Sequence, residues 1–134
     1  MQLPWEGFGY TALFALTGLA LMFVGLLVFD WIVPFKLFQE IENGNEAVGW
    51  MAAGFLISTG IVLGDAFRHN TAWTDGVAYA VLGILLNYLG YYLWEWLTPR
   101  WSLNGAMTKG SKAVGLACFG IFVALGLIIS GAFS

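Results

Sequence analysis

Four long stretches without a charged side chain limit what this sequence can fold into. About 20 residues of helix cross the hydrocarbon core of a bilayer, and each stretch is close to that length. Inside lipid the backbone must satisfy its own hydrogen bonds, so each stretch is predicted to be helical; none alternates as a barrel strand does. The uncharged stretches are 7–29, 47–64, 76–94 and 113–134.

Composition supports the same interpretation, because only 10% of the residues are charged and 60% are hydrophobic. A soluble domain has roughly a quarter of its residues charged. The sequence therefore predicts an all-α integral membrane protein, with four transmembrane helices in a single membrane domain over residues 1–134. Residues 1–6 contain no Lys or Arg, so the first stretch is interpreted as a retained helix and not as a signal peptide. The lipid bilayer is its expected partner, and the net charge of −3 argues against nucleic acid.

The basic residues lie mostly in the first and third connections, which must share one side of the membrane. These connections contain Lys36, Arg100, Lys109 and Lys112, whereas the opposite side has Arg68. The positive-inside rule then predicts that both connections are cytoplasmic and that both termini lie outside the cytoplasm.

An internal repeat divides the chain into two halves, at about 7–67 and 72–133. The segment from Asp30 to Pro34 is echoed 65 residues later by the segment from Glu95 to Pro99, and Gly44–Gly49 is echoed by Gly110–Gly115. Each unit contains two helices, so both copies enter the membrane in the same direction. The sequence therefore predicts two tandem parallel repeats.

Small residues within the stretches indicate close helix packing. Gly60 and Gly64 form a small-xxx-small pair, and Gly126 and Ser130 repeat it in the second half. Such pairs let helix backbones approach closely in lipid. Packing within the protomer is favoured over a dedicated dimer face.

The first connection shows helical spacing of its apolar residues. Phe35, Phe38 and Ile41 recur between charged residues, which predicts a short helix at the membrane interface. Asn45 and Ser111 are predicted N-caps of the helices that follow.

Polar groups within or at the ends of the stretches are candidates for function, since each costs about 3 kcal/mol or more to bury in lipid. Asp30 and Glu95 are equivalent in the repeat, and Asn87 lies in the middle of the third stretch. The two acids either flank a central axis, where they bind a cation or relay a proton, or lie at headgroup depth beside basic residues. Asn87 either joins helices or lines a polar pathway.

Signatures of catalysis are missing from the sequence. The chain has one His and one Cys, with no Gly-rich phosphate loop and no nucleophile beside a base. We therefore expect no enzyme activity, no cofactor and no metal site.

Residues 41–47, several positions after Pro34, resemble the YjfL family of bacterial inner-membrane proteins, catalogued as a domain of unknown function. That family has a proline-led connection, then Gly-Asn-x-Ala opening a small-residue-rich helix, and an acid where Asp75 stands. This sequence departs from the family at Val48 and Gly49. The resemblance implies an inner-membrane location and a context of envelope maintenance.

Two hypotheses for function follow. The first is a homo-oligomeric channel or transporter-like protein for ions or small solutes, with Asp30, Glu95 and Asn87 as a polar pathway. The second is a non-transporting scaffold or envelope-stress accessory that recruits a cytoplasmic or membrane partner. Its candidate partner surface consists of Phe35, Phe38, Ile41, Arg100, Lys109 and Lys112.

Overall fold

The computed structural model describes residues 4–33, 36–69, 72–97 and 109–132. Pro34, Phe35, Pro99 and Arg100 lie outside the described residues. The described part of the chain consists of helices joined by short connections. They are α1 (Pro4–Ile32), α2 (Leu37–Glu42), α3 (Glu46–Arg68), α4 (Trp73–Leu97) and α5 (Lys112–Ala132).

Four of these helices, α1, α3, α4 and α5, are long and apolar enough to cross a membrane. This confirms the predicted fold class, an all-helical protein with four transmembrane helices. Each helix extends beyond its uncharged stretch by up to about one turn. The extensions carry acidic and basic residues, which are tolerated because helix ends reach the polar headgroup region.

Hydrogen bonds between α1 and α4 show that these helices run in the same direction. The indole N–H of Trp73 donates to the Thr17 hydroxyl at 3.0 Å, and the hydroxyl of Tyr92 donates to the carbonyl of Ile32 at 2.6 Å. Residue numbers rise together along both helices, so α1 and α4 are parallel. In each bond the donor and the acceptor pair within the protein. This matters because the hydrocarbon core of a bilayer has no water to pair with them.

The helices α3 and α5 also run in parallel, and their backbones touch. A Cβ built on Gly115 would lie 2.6 Å from the Cα of Ala47, and one built on Gly126 would lie 2.8 Å from the Cα of Ser58. Only glycine permits this approach, because a Cβ atom at either position would clash with the backbone of α3. Small residues therefore hold the two helices together, as is typical of packing in lipid.

An aromatic cluster forms the centre of the bundle. The ring of Phe29 is fully buried and lies 4.9 Å from the ring of Phe55, centroid to centroid. Three further rings, Tyr88, Tyr91 and Phe122, lie between 5.4 and 5.9 Å from it. All four membrane helices contribute to this cluster, in the stacked and edge-to-face arrangements that aromatic pairs prefer.

The tandem repeat remains a prediction. Parallel directions of α1 with α4 and of α3 with α5 are what such a repeat requires. The contacts of matching positions differ, however. Gly60 faces the side chain of Met22 in α1, whereas its counterpart Gly126 faces the backbone of Ser58 in α3.

Candidate functional site

The first half of the candidate site is the attachment of α2 to the end of α1. One carboxylate oxygen of Asp30, Oδ1, accepts a hydrogen bond from the backbone N–H of Leu37 at 2.7 Å. The first N–H groups of a helix have no partner within that helix, so this carboxylate caps α2. The side chain of Leu37 is fully buried in the bundle core. Asp30 thus helps to fix α2 against the membrane helices.

The second half is the attachment of α2 to the start of α3, which depends on Asn45. Its Oδ1 accepts from the backbone N–H of Val48 at 3.3 Å, which confirms the predicted N-cap. Its side-chain amide donates to the carboxylate of Glu40 in α2 at 2.8 Å. Gly44 has a φ of +82°, a conformation that side chains disfavour, and it lets the chain turn between the helices.

The outer side of α2 is apolar and acidic. Phe38 and Ile41 are each a little over one-third exposed, and Glu42 is exposed beside them. We call this surface the α2 platform and define it as α2 together with its attachments at Asp30 and Asn45. The platform holds apolar side chains outside the bundle in a fixed position.

Basic residues border the platform at the start of α5. The ammonium of Lys112 lies 3.7 Å from the carboxylate of Glu46, and both side chains are exposed. A surface ion pair of this kind contributes about 1 kcal/mol or less. Lys109 is exposed. Of the predicted partner surface, Phe35 and Arg100 lie outside the described residues.

The two predicted acids lie at the same end of the bundle. The bond from Tyr92 to Ile32 places the last turns of α1 and α4 side by side, and Asp30 and Glu95 lie within those turns. Both acids are half-buried. The structure assigns Asp30 a capping contact with α2, which the sequence did not predict.

Asn87 lies in the core and joins two helices. The hydroxyl of Ser58 in α3 donates to Oδ1 of Asn87 in α4 at 2.8 Å, and both residues are fully buried. The amide Nδ2 of Asn87 has no hydrogen-bond partner among the described residues. Sequence reasoning missed Ser58, although a hydroxyl at mid-membrane is itself a signal for an interhelical bond.

The four predicted packing residues have different surroundings. Gly126 contacts α3, Ser130 is buried, and Gly60 approaches Met22 of α1. Gly64 is exposed, with open space where a Cβ would stand. The Gly60 and Gly64 pair therefore does not act as one joint contact between the described helices.

Metal-binding chemistry finds no support in the described ranges. Within them, no group of three or more His, Cys, Asp or Glu side chains is placed to hold a metal ion. Cys118, the one cysteine, is buried among apolar side chains.

Four helices long and apolar enough to cross a membrane define a small multi-pass membrane protein. The sequence model of the family described as Domain of Unknown Function (DUF350) matches residues 2–133. The chain therefore belongs to the DUF350 family. It is also similar to the UPF0719 transmembrane protein YshE of Bacillus subtilis (strain 168), with 26% identity over 105 residues, which are 78% of each chain. No solved structure matches. These matches support a membrane family of unknown function and do not confirm the YjfL name.

Proposed function

We propose that this protein is a membrane scaffold without enzyme activity, and that its α2 platform binds a partner protein. The observation that carries the proposal is the fixed position of α2. A helix of six residues is not stable in isolation. Here the Asp30 cap, the buried Leu37 side chain and the bond from Asn45 to Glu40 hold it in place.

Fixing α2 gives its outer surface an advantage in binding. A surface that is already ordered loses less conformational entropy when a partner associates. Phe38 and Ile41 lie three residues apart, so their side chains emerge on one side of α2. Two apolar groups in a fixed arrangement suit the role of anchors in a small interface.

The charge around these anchors specifies the partner. Glu42 is exposed beside Phe38 and Ile41, whereas Glu46 at the start of α3 pairs with Lys112. A complementary partner presents apolar side chains flanked by Lys or Arg, as an amphipathic basic helix does.

We further propose that the platform faces the cytoplasm of a bacterial cell, with both termini on the other side of the inner membrane. Lys36, Lys109 and Lys112 lie at the platform end of the bundle, whereas Arg68 lies at the opposite end. This bias follows the positive-inside rule.

Alkaline phosphatase fused after Ser134 tests the orientation, since the enzyme is active only outside the cytoplasm. An active fusion is expected, and an inactive, well-expressed fusion contradicts the proposed orientation.

Replacing both anchors, as Phe38→Ala with Ile41→Ala, is expected to reduce partner recovery at least about tenfold. Removing buried apolar anchors typically costs an interface about 1 kcal/mol or more each. The measurement is quantitative co-purification from membranes in mild detergent, with thermal stability recorded for each variant. The matched control is Leu116→Ala with Leu127→Ala, because both leucines are exposed on the membrane-spanning part of α5. Equal recovery from the anchor variant and the control contradicts the proposal.

A homo-oligomeric channel or transporter-like protein is the second candidate. It is favoured by the large surface of α1 that the other helices of the protomer leave exposed. Few side chains in the membrane-crossing part of α1 are buried within the protomer. Copies that assemble through α1 bring several Asp30 carboxylates, and the neighbouring Glu95 carboxylates, around one axis.

This second candidate predicts cation or proton flux that depends on both acids. Purified protein in vesicles is expected to conduct, and Asp30→Asn with Glu95→Gln to abolish the flux, because the mutant axis has no fixed negative charge. Fluorescent pH and ion indicators inside the vesicles measure it. Flux that persists in the double variant removes these residues from the pathway, and no flux in the wild type removes the candidate.

A further inference from the structure

Two adjoining pockets lie along the exposed side of α1, and together we call them the α1 groove. Its deeper part lies between α1 and α4 and has a volume of about 160 Å³. Its outer part has a volume of about 410 Å³, is lined among the described residues by those of α1 alone and ends at Asp30 and Trp31. The two parts share Val24 and Val28, so they adjoin. Apart from Asp30 at its end, the wall consists mostly of apolar side chains.

The length of the groove matches one leaflet of a bilayer. It extends from Leu21 to Trp31 along α1, which at 1.5 Å per residue is about 15 Å. The hydrocarbon core is about 30 Å thick, so the groove reaches from near the midplane to the headgroups. Trp31 is 85% exposed at its outer end, as is typical of an aromatic side chain at the membrane interface. The groove therefore has about the length of an acyl chain in one leaflet.

The charge at the outer end of the groove indicates which lipid headgroup would bind there. Asp30 uses one carboxylate oxygen to cap α2, and its other oxygen has no hydrogen-bond partner among the described residues. Neither the ion pair of Arg68 with Asp65 nor that of Lys112 with Glu46 includes Asp30. A half-buried carboxylate beside apolar surface is stabilised by a cation with N–H donors.

We propose that this groove binds a phospholipid with a primary ammonium headgroup, of the phosphatidylethanolamine type, in the leaflet on the α2 side. The ammonium donates to the carboxylate oxygen of Asp30 that does not cap α2, and one acyl chain lies along Val24 and Val28. A choline headgroup has no N–H donor, and a glycerol headgroup leaves the lipid with a net negative charge that Asp30 repels. The inference does not depend on the scaffold proposal.

The experiment is native mass spectrometry of the purified protein, with the three lipids supplied at equal concentration and with identical acyl chains. We expect roughly tenfold more bound phosphatidylethanolamine than phosphatidylcholine or phosphatidylglycerol, since a charge-assisted hydrogen bond discriminates at about this level. Asp30→Asn is expected to remove the preference. Asparagine keeps an oxygen that can cap Leu37, so α2 stays attached while the negative charge is lost.

Two further variants separate the headgroup from the groove. Val28→Trp fills the groove and is expected to reduce binding of all three lipids, with Asp30 unchanged. Asp75→Asn is the matched control, because it removes an exposed carboxylate at the opposite end of the bundle, and it should keep the preference. Equal binding of the three lipids by the wild type overturns the proposal, as does a preference that survives Asp30→Asn. A dimer that carries no lipid and crosslinks through Val24 also overturns it, since a second copy then fills the groove.

Discussion

Phe29→Ala is expected to lower the free energy of unfolding by about 3 kcal/mol. The ring is fully buried and contacts aromatic rings from the three other membrane helices. An unfolded membrane protein keeps its side chains in lipid, so the substitution changes little in the transfer of the ring to water. The lost stability comes instead from missing packing contacts and from the cavity that the ring leaves. For this reason the lower end of the range for Phe→Ala applies.

The measurement for Phe29→Ala is reversible unfolding in mixed micelles, followed by tryptophan fluorescence. Phe23→Ala is the matched control, because Phe23 lies on the same helix and is 60% exposed. The control is expected to change stability by less than about 0.5 kcal/mol, as surface substitutions usually do. Equal losses from the two variants would show that the aromatic cluster is not the centre of the bundle.

Gly115→Ala and Gly126→Ala are each expected to destabilise the protein by about 1–3 kcal/mol. The new methyl groups would lie 2.6 Å and 2.8 Å from backbone atoms of α3, so the two helices must separate. The same unfolding measurement checks the change.

The controls for these variants are Gly49→Ala and Gly120→Ala, on the same two helices. Neither glycine has a neighbour within 4 Å of its built Cβ among the described residues. Alanine favours a helix over glycine by up to about 1 kcal/mol, so the controls should be neutral or slightly stabilised. If all four variants behave alike, the close contact of α3 and α5 is refuted.

Local features of this chain were predictable from its sequence. Absence of charge marked the membrane helices, because lipid excludes charged side chains whatever the rest of the fold does. The Asn45 cap was also predictable, since it depends on atoms three residues apart. The uncharged stretch 47–64 is shorter than α3 by about one turn at its end, because Asp65 and Arg68 pair with each other in the last turn and remain helical.

Contacts between distant helices were not predictable. All sides of these helices are apolar, so periodicity does not distinguish the inner side from the lipid-facing side. Gly120 and Gly126 look alike in the sequence, yet one faces open space and the other touches Ser58. The cap that Asp30 provides was missed for a related reason, because it depends on α2 folding back onto the end of α1.

Site-specific photocrosslinking in living cells tests most directly whether the α2 platform binds a partner protein. A photoreactive amino acid is placed at Phe38 or Ile41, and at Leu116 or Leu127 as controls. We expect one discrete protein adduct from the two platform positions and none from the controls. Adducts with lipid alone at Phe38 and Ile41, or the same protein adducts from all four positions, would contradict it.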